Sequence, residues 1–250
     1  MKGPKIDRVA APEVVQRDAF EKKLGSLRIR EKAHMRAGDA LAAQRRRLPM
    51  VAIDGSTPLV GENGPVTLLD AFEGRQMLIA YYYMWFSGKP APAQCEGCTF
   101  FTSQPRAVSH LHSRDVTYAT FCQGPYEESA RYRHFMGWKM PWYSARDSLE
   151  TLLAGRRIGM MHIVCYLRQE SEVFETYWTT GRGVEAMDNT YRMLDLTVYG
   201  RQEDFEDSPE GWPQHWGETN HPFRRDGRPI SQWPRLQAGH SDDLGGGQRG

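Results

Sequence analysis

The chain has 250 residues, with 32 basic and 31 acidic side chains, so no net field exists to hold nucleic acid or an anionic membrane surface. It contains no run of about 18 apolar residues to cross a bilayer, and its start lacks the uninterrupted apolar segment of a secretory leader. Four cysteines are too few for a disulfide scaffold, which predicts a cytoplasmic protein whose close thiols serve catalysis or metal binding.

Residues 1–47 read as a helical extension. From Pro12 to Arg47, Val15, Phe20, Leu24, Leu27 and Leu41 fall at helical intervals, which predicts two helices broken near Gly25 and Ser26. The cations Arg45, Arg46 and Arg47 suit a solvated helix C-terminus, with Pro49 as a stop. Residues 48–200 read as the main domain. Leu48 to Ile53 suits a strand, and the Asn63-Gly64 turn signal predicts a hairpin between Pro58–Val60 and Val66–Leu68. Met77 to Tyr83 is a continuous apolar and aromatic run, the pattern of a central strand covered on both faces.

A small-residue loop, Ser87 to Gln94, then delivers Cys95-Glu96-Gly97-Cys98. A helix is predicted to begin here and continue to Ser113, kinked at Pro105. Val116 to Cys122 reads as the next strand, Pro125 to Met136 as a helix closed by Gly137, and His162–Arg168 with Val173–Trp178 as a hairpin with a four-residue connection. A last helix is predicted over Val184 to Leu194. Residues 201–250 lack a clear period and read as an irregular tail that docks by its tryptophans, with disorder expected from Ser241 to Gly250. The acids of Asp204 to Glu210, with His215 and His221 beyond, keep no ligand-like spacing.

Strand, loop, Cys-x-x-Cys, helix is an α/β arrangement with a thioredoxin-like central sheet flanked by helices. Two thiols three residues apart at a helix start share a face, so one can attack while the other closes a disulfide. Helix amides favour a thiolate on Cys95, and the Glu96 carboxylate offsets part of that effect. The ordinary alternative is half of a zinc site, but Cys122 and Cys165 are isolated within apolar runs and read as inert core thiols.

Motifs over residues 35 to 215 carry a resemblance. They include Asp39-Ala40-Leu41-Ala42-Ala43 through Arg47-Leu48-Pro49, Gly74-Arg75-Gln76, the cysteine pair, Met136-Gly137-Trp138 with Pro141-Trp142, Thr179-Thr180-Gly181-Arg182-Gly183, and Gly200-Arg201-Gln202-Glu203. With these the chain resembles a bacterial thioredoxin-like family of uncharacterised function, related in outline to peroxiredoxins and thiol reductases. The resemblance implies a thioredoxin fold with Cys95 and Cys98 at the dithiol position before the first core helix. The loop before Cys95 lacks the Thr-x-x-Cys pattern of peroxiredoxins, and Met160-Met161 stand where thioredoxins carry a cis-proline.

The leading expectation is therefore a thiol-disulfide oxidoreductase with Cys95 and Cys98 as catalytic residues and no required cofactor. Its partners would be a small-molecule or protein disulfide or peroxide and an external reductant; a homo-oligomer is left open. The alternative is a copper or other soft-metal protein in which His162 joins Cys95 and Cys98 as a third ligand. Trp138 and Trp142 are candidate walls of a substrate pocket and Arg182 a candidate anion contact, each weighed against plain packing or surface pairing.

Overall fold

The computed structural model describes residues 10–213 and 223–237. It opens with α1 (Arg17–Arg45), an uninterrupted helix in which no side chain is buried. The predicted break at Gly25-Ser26 does not occur. A helical glycine costs only about 1 kcal/mol relative to alanine, and the Ser26 hydroxyl bonds back to the Lys22 carbonyl at 3.3 Å without disturbing the ladder.

Three short strands follow: β1 (Val51–Ile53), β2 (Pro58–Gly61) and β3 (Gly64–Thr67). β2 and β3 form the hairpin that Asn63-Gly64 announces, with Gly64 at φ 105°. Then come β4 (Met77–Tyr83), α2 (Glu96–Thr102), α3 (Ser109–His112), β5 (Val116–Cys122) and α4 (Tyr126–Met136). The single kinked helix expected up to Ser113 is thus two short ones, because Pro105 supplies no amide and α2 has ended by Ser103. Pro125 caps α4, and Gly137 at φ 65° ends it.

Next are β6 (Trp142–Ser144), which the sequence reading missed, α5 (Leu149–Leu152), β7 (His162–Gln169) and β8 (Glu172–Thr180). The β7–β8 connection is only Glu170 and Ser171, shorter than expected, because Glu170 takes a left-handed conformation at φ 55°. The expected last helix is split. A 3-10 segment ends at Met187 and α6 (Thr190–Leu194) starts afresh, because the Asp188 carboxylate accepts from the amides of Thr190 at 2.7 Å and Tyr191 at 3.1 Å. The described C-terminal residues form the small hairpin β9 (Arg224–Arg225) and β10 (Arg228–Pro229), then α7 (Trp233–Gln237). Residues 201–213 carry turns and bends but no helix or strand, as expected, whereas residues 223–237 hold these short elements; the disorder expected from Ser241 onward lies outside the described residues, as do His215 and His221.

β1 to β8 make one mixed sheet in the order β1-β8-β7-β4-β5-β6-β2-β3. β5 lies parallel to β4, and β7 and β8 are antiparallel additions on its other side. That order around β4-α2-β5 is thioredoxin-like. β4 sits in the middle, and its apolar run serves two cores at once. Tyr81 and Tyr83 face the core under α2 and α4, whereas Leu78, Ala80 and Tyr82 face the core under α5. No described helix is long and apolar enough to cross a membrane.

Candidate functional site around Cys95 and Cys98

The carboxyl end of β4 and the loop after it deliver Cys95 to the N-cap of α2. Gln94 holds that loop from inside. Fully buried, its amide accepts from the Phe86 amide at 3.1 Å and donates to the carbonyls of Phe86 and Lys89 at 3.0 and 2.9 Å.

The two sulfurs lie together but in unequal surroundings. The Cys95 sulfur, in a residue 8% exposed, accepts the Cys98 amide at 3.4 Å and touches the Met84 thioether at 3.9 Å. Cys98 is fully buried, and its sulfur accepts the Met84 amide at 3.4 Å. Both thiols are free. The Cys98 thiol lying against Cys95 holds its pKa below the usual thiol value, helped by the amides of Cys98 and Gly97 and opposed by burial and the Glu96 charge. Cys98 is pushed well above the usual value, first by burial and then by Cys95. The Tyr81 hydroxyl, buried with no partner of hydrogen-bond geometry, faces Cys98.

A chain of buried hydroxyls fixes the Cys95 backbone. Thr99 donates to the Cys95 carbonyl at 2.7 Å and lies 2.8 Å from both the Tyr83 and Tyr132 hydroxyls. Gln232, fully buried, donates to the Tyr132 hydroxyl at 2.7 Å and to the Ala91 carbonyl at 2.8 Å. The C-terminal segment thereby closes the network. It also covers the helix start: a Cβ added at Gly97 would meet the Phe223 ring at 3.5 Å. Arg224 pairs with Glu96 at 3.2 Å and donates to the Gln94 carbonyl at 3.1 Å, so the carboxylate beside Cys95 is partly neutralised.

The other sequence candidates do not join this site. His162 lies opposite Tyr82 in the β4–β7 register, which turns it to the α5 side of the sheet, away from the thiols. There its Nε2 meets the Arg157 carbonyl at 2.9 Å and its ring packs edge-on against Trp178; burial lowers its pKa. The three-ligand set Cys95, Cys98 and His162 is therefore not assembled, and no group of three His, Cys, Asp or Glu side chains suited to a metal occurs among the described residues. Trp138 and Trp142 stack at 5.6 Å within the aromatic core around Tyr83. They line a separate cleft that neither cysteine reaches. Arg182 is exposed, paired with Glu185 at 2.7 Å and stacked over Phe205. Cys122 is buried and Cys165 largely so, with pKa values raised by burial to about 12 and about 11, which fits inert core thiols.

Sequence reasoning missed Met84, Thr99, Tyr132, Phe223, Arg224 and Gln232. Of these only Thr99, one helical turn after Cys95, stood where a local signal could have marked it.

No curated protein matches this sequence. Among solved structures it is similar to a cysteine-to-serine mutant of Xanthomonas campestris peroxiredoxin Q, at 14% identity and a TM-score of 0.38, over 56% of this chain and 92% of that one. It is similar also to a cysteine-to-serine mutant of Xylella fastidiosa PrxQ, at 12% identity and a TM-score of 0.38, over 58% of this chain and 94% of that one. The model of the family described as "Bacterial protein of unknown function (DUF899)" matches residues 9–223, and the chain belongs to that family.

Proposed function

We propose that the chain is a thiol-disulfide oxidoreductase of the bacterial cytoplasm. The observation that carries this reading is the inequality of the two sulfurs. Cys95 sits at a helix cap with its pKa held down, and Cys98 lies behind it with its pKa pushed up. Those are the conditions for an attacking and a resolving thiol.

In the reaction, the Cys95 thiolate attacks one sulfur of a substrate disulfide. A Cys95–substrate disulfide forms and the other substrate sulfur leaves as a thiolate. Cys98 then attacks the Cys95 sulfur, forming the Cys95–Cys98 disulfide and breaking the Cys95–substrate bond, so that the second substrate sulfur leaves and the Cys98 proton ends on a substrate thiolate. Two electrons have passed to the substrate, and an external dithiol returns them. The Phe223 ring over Gly97 and the Arg224–Glu96 pair set the C-terminal segment against the same helix start, beside the path a disulfide would take to Cys95.

The test is reduction of a small disulfide by the full chain. Cys95→Ser is expected to abolish turnover, and Cys98→Ser to stall as a mixed disulfide on Cys95 visible by mass spectrometry. Full turnover by Cys95→Ser would overturn the reading.

One observation favours a second reading, soft-metal binding. The Met84 thioether lies 3.9 Å from the Cys95 sulfur. That matches the edge of a trigonal set at metal–sulfur distances of about 2.3 Å, and sulfur donors of this kind select copper(I). In this reading Met84 takes the role assigned to His162. Tight copper(I) binding that Met84→Leu weakens would support it; none under reducing conditions would exclude it.

A further inference from the structure

A cleft of about 670 Å³ opens between the C-terminal end of α2, the β2–β3 hairpin and the end of α4. Its size falls in the usual range for small-molecule sites, and neither Cys95 nor Cys98 lines it.

The charge lining the cleft is uneven. Arg106, Arg133, Lys139 and Arg235 border it, against the carboxylates of Glu62 and Glu73. Glu73 is already engaged by Arg75 at 3.2 Å, and Glu62 approaches Arg133 only to 3.8 Å with its own side chain 78% exposed. Among the described residues, Lys139 and Arg235 make no ion pair. The guanidinium of Arg235 instead lies over Gly137, where a Cβ would meet its Nη1 at 3.0 Å. Cations that border one cleft attract an anion into it.

Two buried donors in the same wall have no protein partner. The Thr102 hydroxyl belongs to a fully buried residue that lines the cleft, and the Nε of Arg133 is sealed from solvent beside it. Both atoms are closed off from solvent, so ligand contact falls to the terminal guanidinium nitrogens of Arg133 and Arg235. The rings of Trp138 and Tyr143 also line the cleft.

The geometry points to a binding site for a small ring-bearing phosphomonoester, its dianion held by the terminal guanidinium nitrogens of Arg133 and Arg235 and its ring laid against Trp138. Guanidinium groups pair with phosphate oxygens in a planar, two-pronged fashion, and the excess of two cations over carboxylates in the lining matches the charge of the group.

Calorimetric titration of the full chain with phenyl phosphate, phenol and inorganic phosphate tests this. Phenyl phosphate is expected to bind, inorganic phosphate at least tenfold more weakly, and phenol not detectably. Arg133→Gln and Arg235→Gln should each weaken phenyl phosphate tenfold or more. Arg28→Gln on α1, which does not line the cleft, should leave it unchanged. Absence of phenyl phosphate binding at millimolar concentration would overturn the assignment, as would an equal loss in Arg28→Gln, which signals diffuse attraction. Inorganic phosphate binding as tightly as phenyl phosphate would overturn the role of the ring.

Discussion

Thr99 and Thr102 lie three residues apart on α2, both fully buried, and their hydroxyls have opposite circumstances. Thr99 serves the Cys95 carbonyl at 2.7 Å and the hydroxyls of Tyr83 and Tyr132 at 2.8 Å each; Thr102 has no partner. Replacing either by valine keeps side-chain volume and helix propensity nearly constant, so the difference between the two variants isolates the network. In Thr99→Val three buried groups lose a bond. Tyr132 still receives Gln232 at 2.7 Å, and Tyr83 has the Cys95 carbonyl at 3.5 Å to close upon. The Cys95 carbonyl keeps the Thr99 amide at 3.0 Å, so the one group at risk is the Tyr83 hydroxyl, and at about 1–3 kcal/mol for a stranded group the loss should be about 1–3 kcal/mol. Thr102→Val removes a stranded hydroxyl and should be neutral or stabilising in unliganded protein. Urea unfolding with unchanged m-values measures both. A Thr99→Val variant within about 0.5 kcal/mol of Thr102→Val would refute the claim that this network holds Cys95 in place.

The charge balance beside Cys95 gives a second prediction: Glu96→Gln removes a charge that raises the Cys95 pKa, so the pH midpoint of its alkylation by iodoacetamide should fall. Arg224→Ala removes one cation from Glu96 and should move that midpoint up while raising the plateau rate, because the C-terminal segment is loosened. Arg156 and Glu175 form a pair whose side chains are only 10% and 9% exposed; Glu175→Ala leaves a guanidinium unpaired in the core and should cost about 3–5 kcal/mol in the same unfolding assay. Buried thiols, together with the buried tyrosines, lower stability at alkaline pH. Cys122 ionises near 9.0 when unfolded but near 12 when folded, so its contribution is whole below pH 9.0 and drains away as pH rises toward 12, by about 1.4 kcal/mol per pH unit. Cys122→Ala should flatten that slope in unfolding measured between pH 8 and 11, and an unchanged slope would contradict the assignment.

The parts of the fold that were legible in the sequence are those governed by local pattern. β5 matches its run of branched and aromatic residues from Val116 to Cys122, and α4 ends at Gly137 as its glycine announces. The cysteine pair was legible because its spacing is itself a helical period. His162 shows where local pattern stops. Its strand was predicted with the correct first residue, yet which face it presents depends on pairing with Tyr82 across the sheet, and a shift of one residue would have reversed it. The covering segment was illegible for a stronger reason. Gln232 reaches Ala91 across 141 positions and Arg224 reaches Glu96 across 128, and no periodicity encodes contacts at that range. What composition did show there was only a tail rich in Trp, Pro and Gly.

Those distant contacts change what the dithiol is. Read alone, Glu96 between the cysteines works against a reactive thiolate; with Arg224 on it, the carboxylate becomes the anchor of the segment that covers the site. β4 then divides the labour between two tyrosines on one face. Tyr83 belongs to the satisfied network that fixes the Cys95 backbone, whereas Tyr81 presents an unpartnered hydroxyl to Cys98. A hydroxyl without a competing partner is free to donate to the Cys98 sulfur as that thiol gives up its proton, which is the step burial most opposes. The strand thus fixes the Cys95 backbone and leaves its one uncommitted donor beside Cys98, where the proposed reaction would pass negative charge through a dry interior.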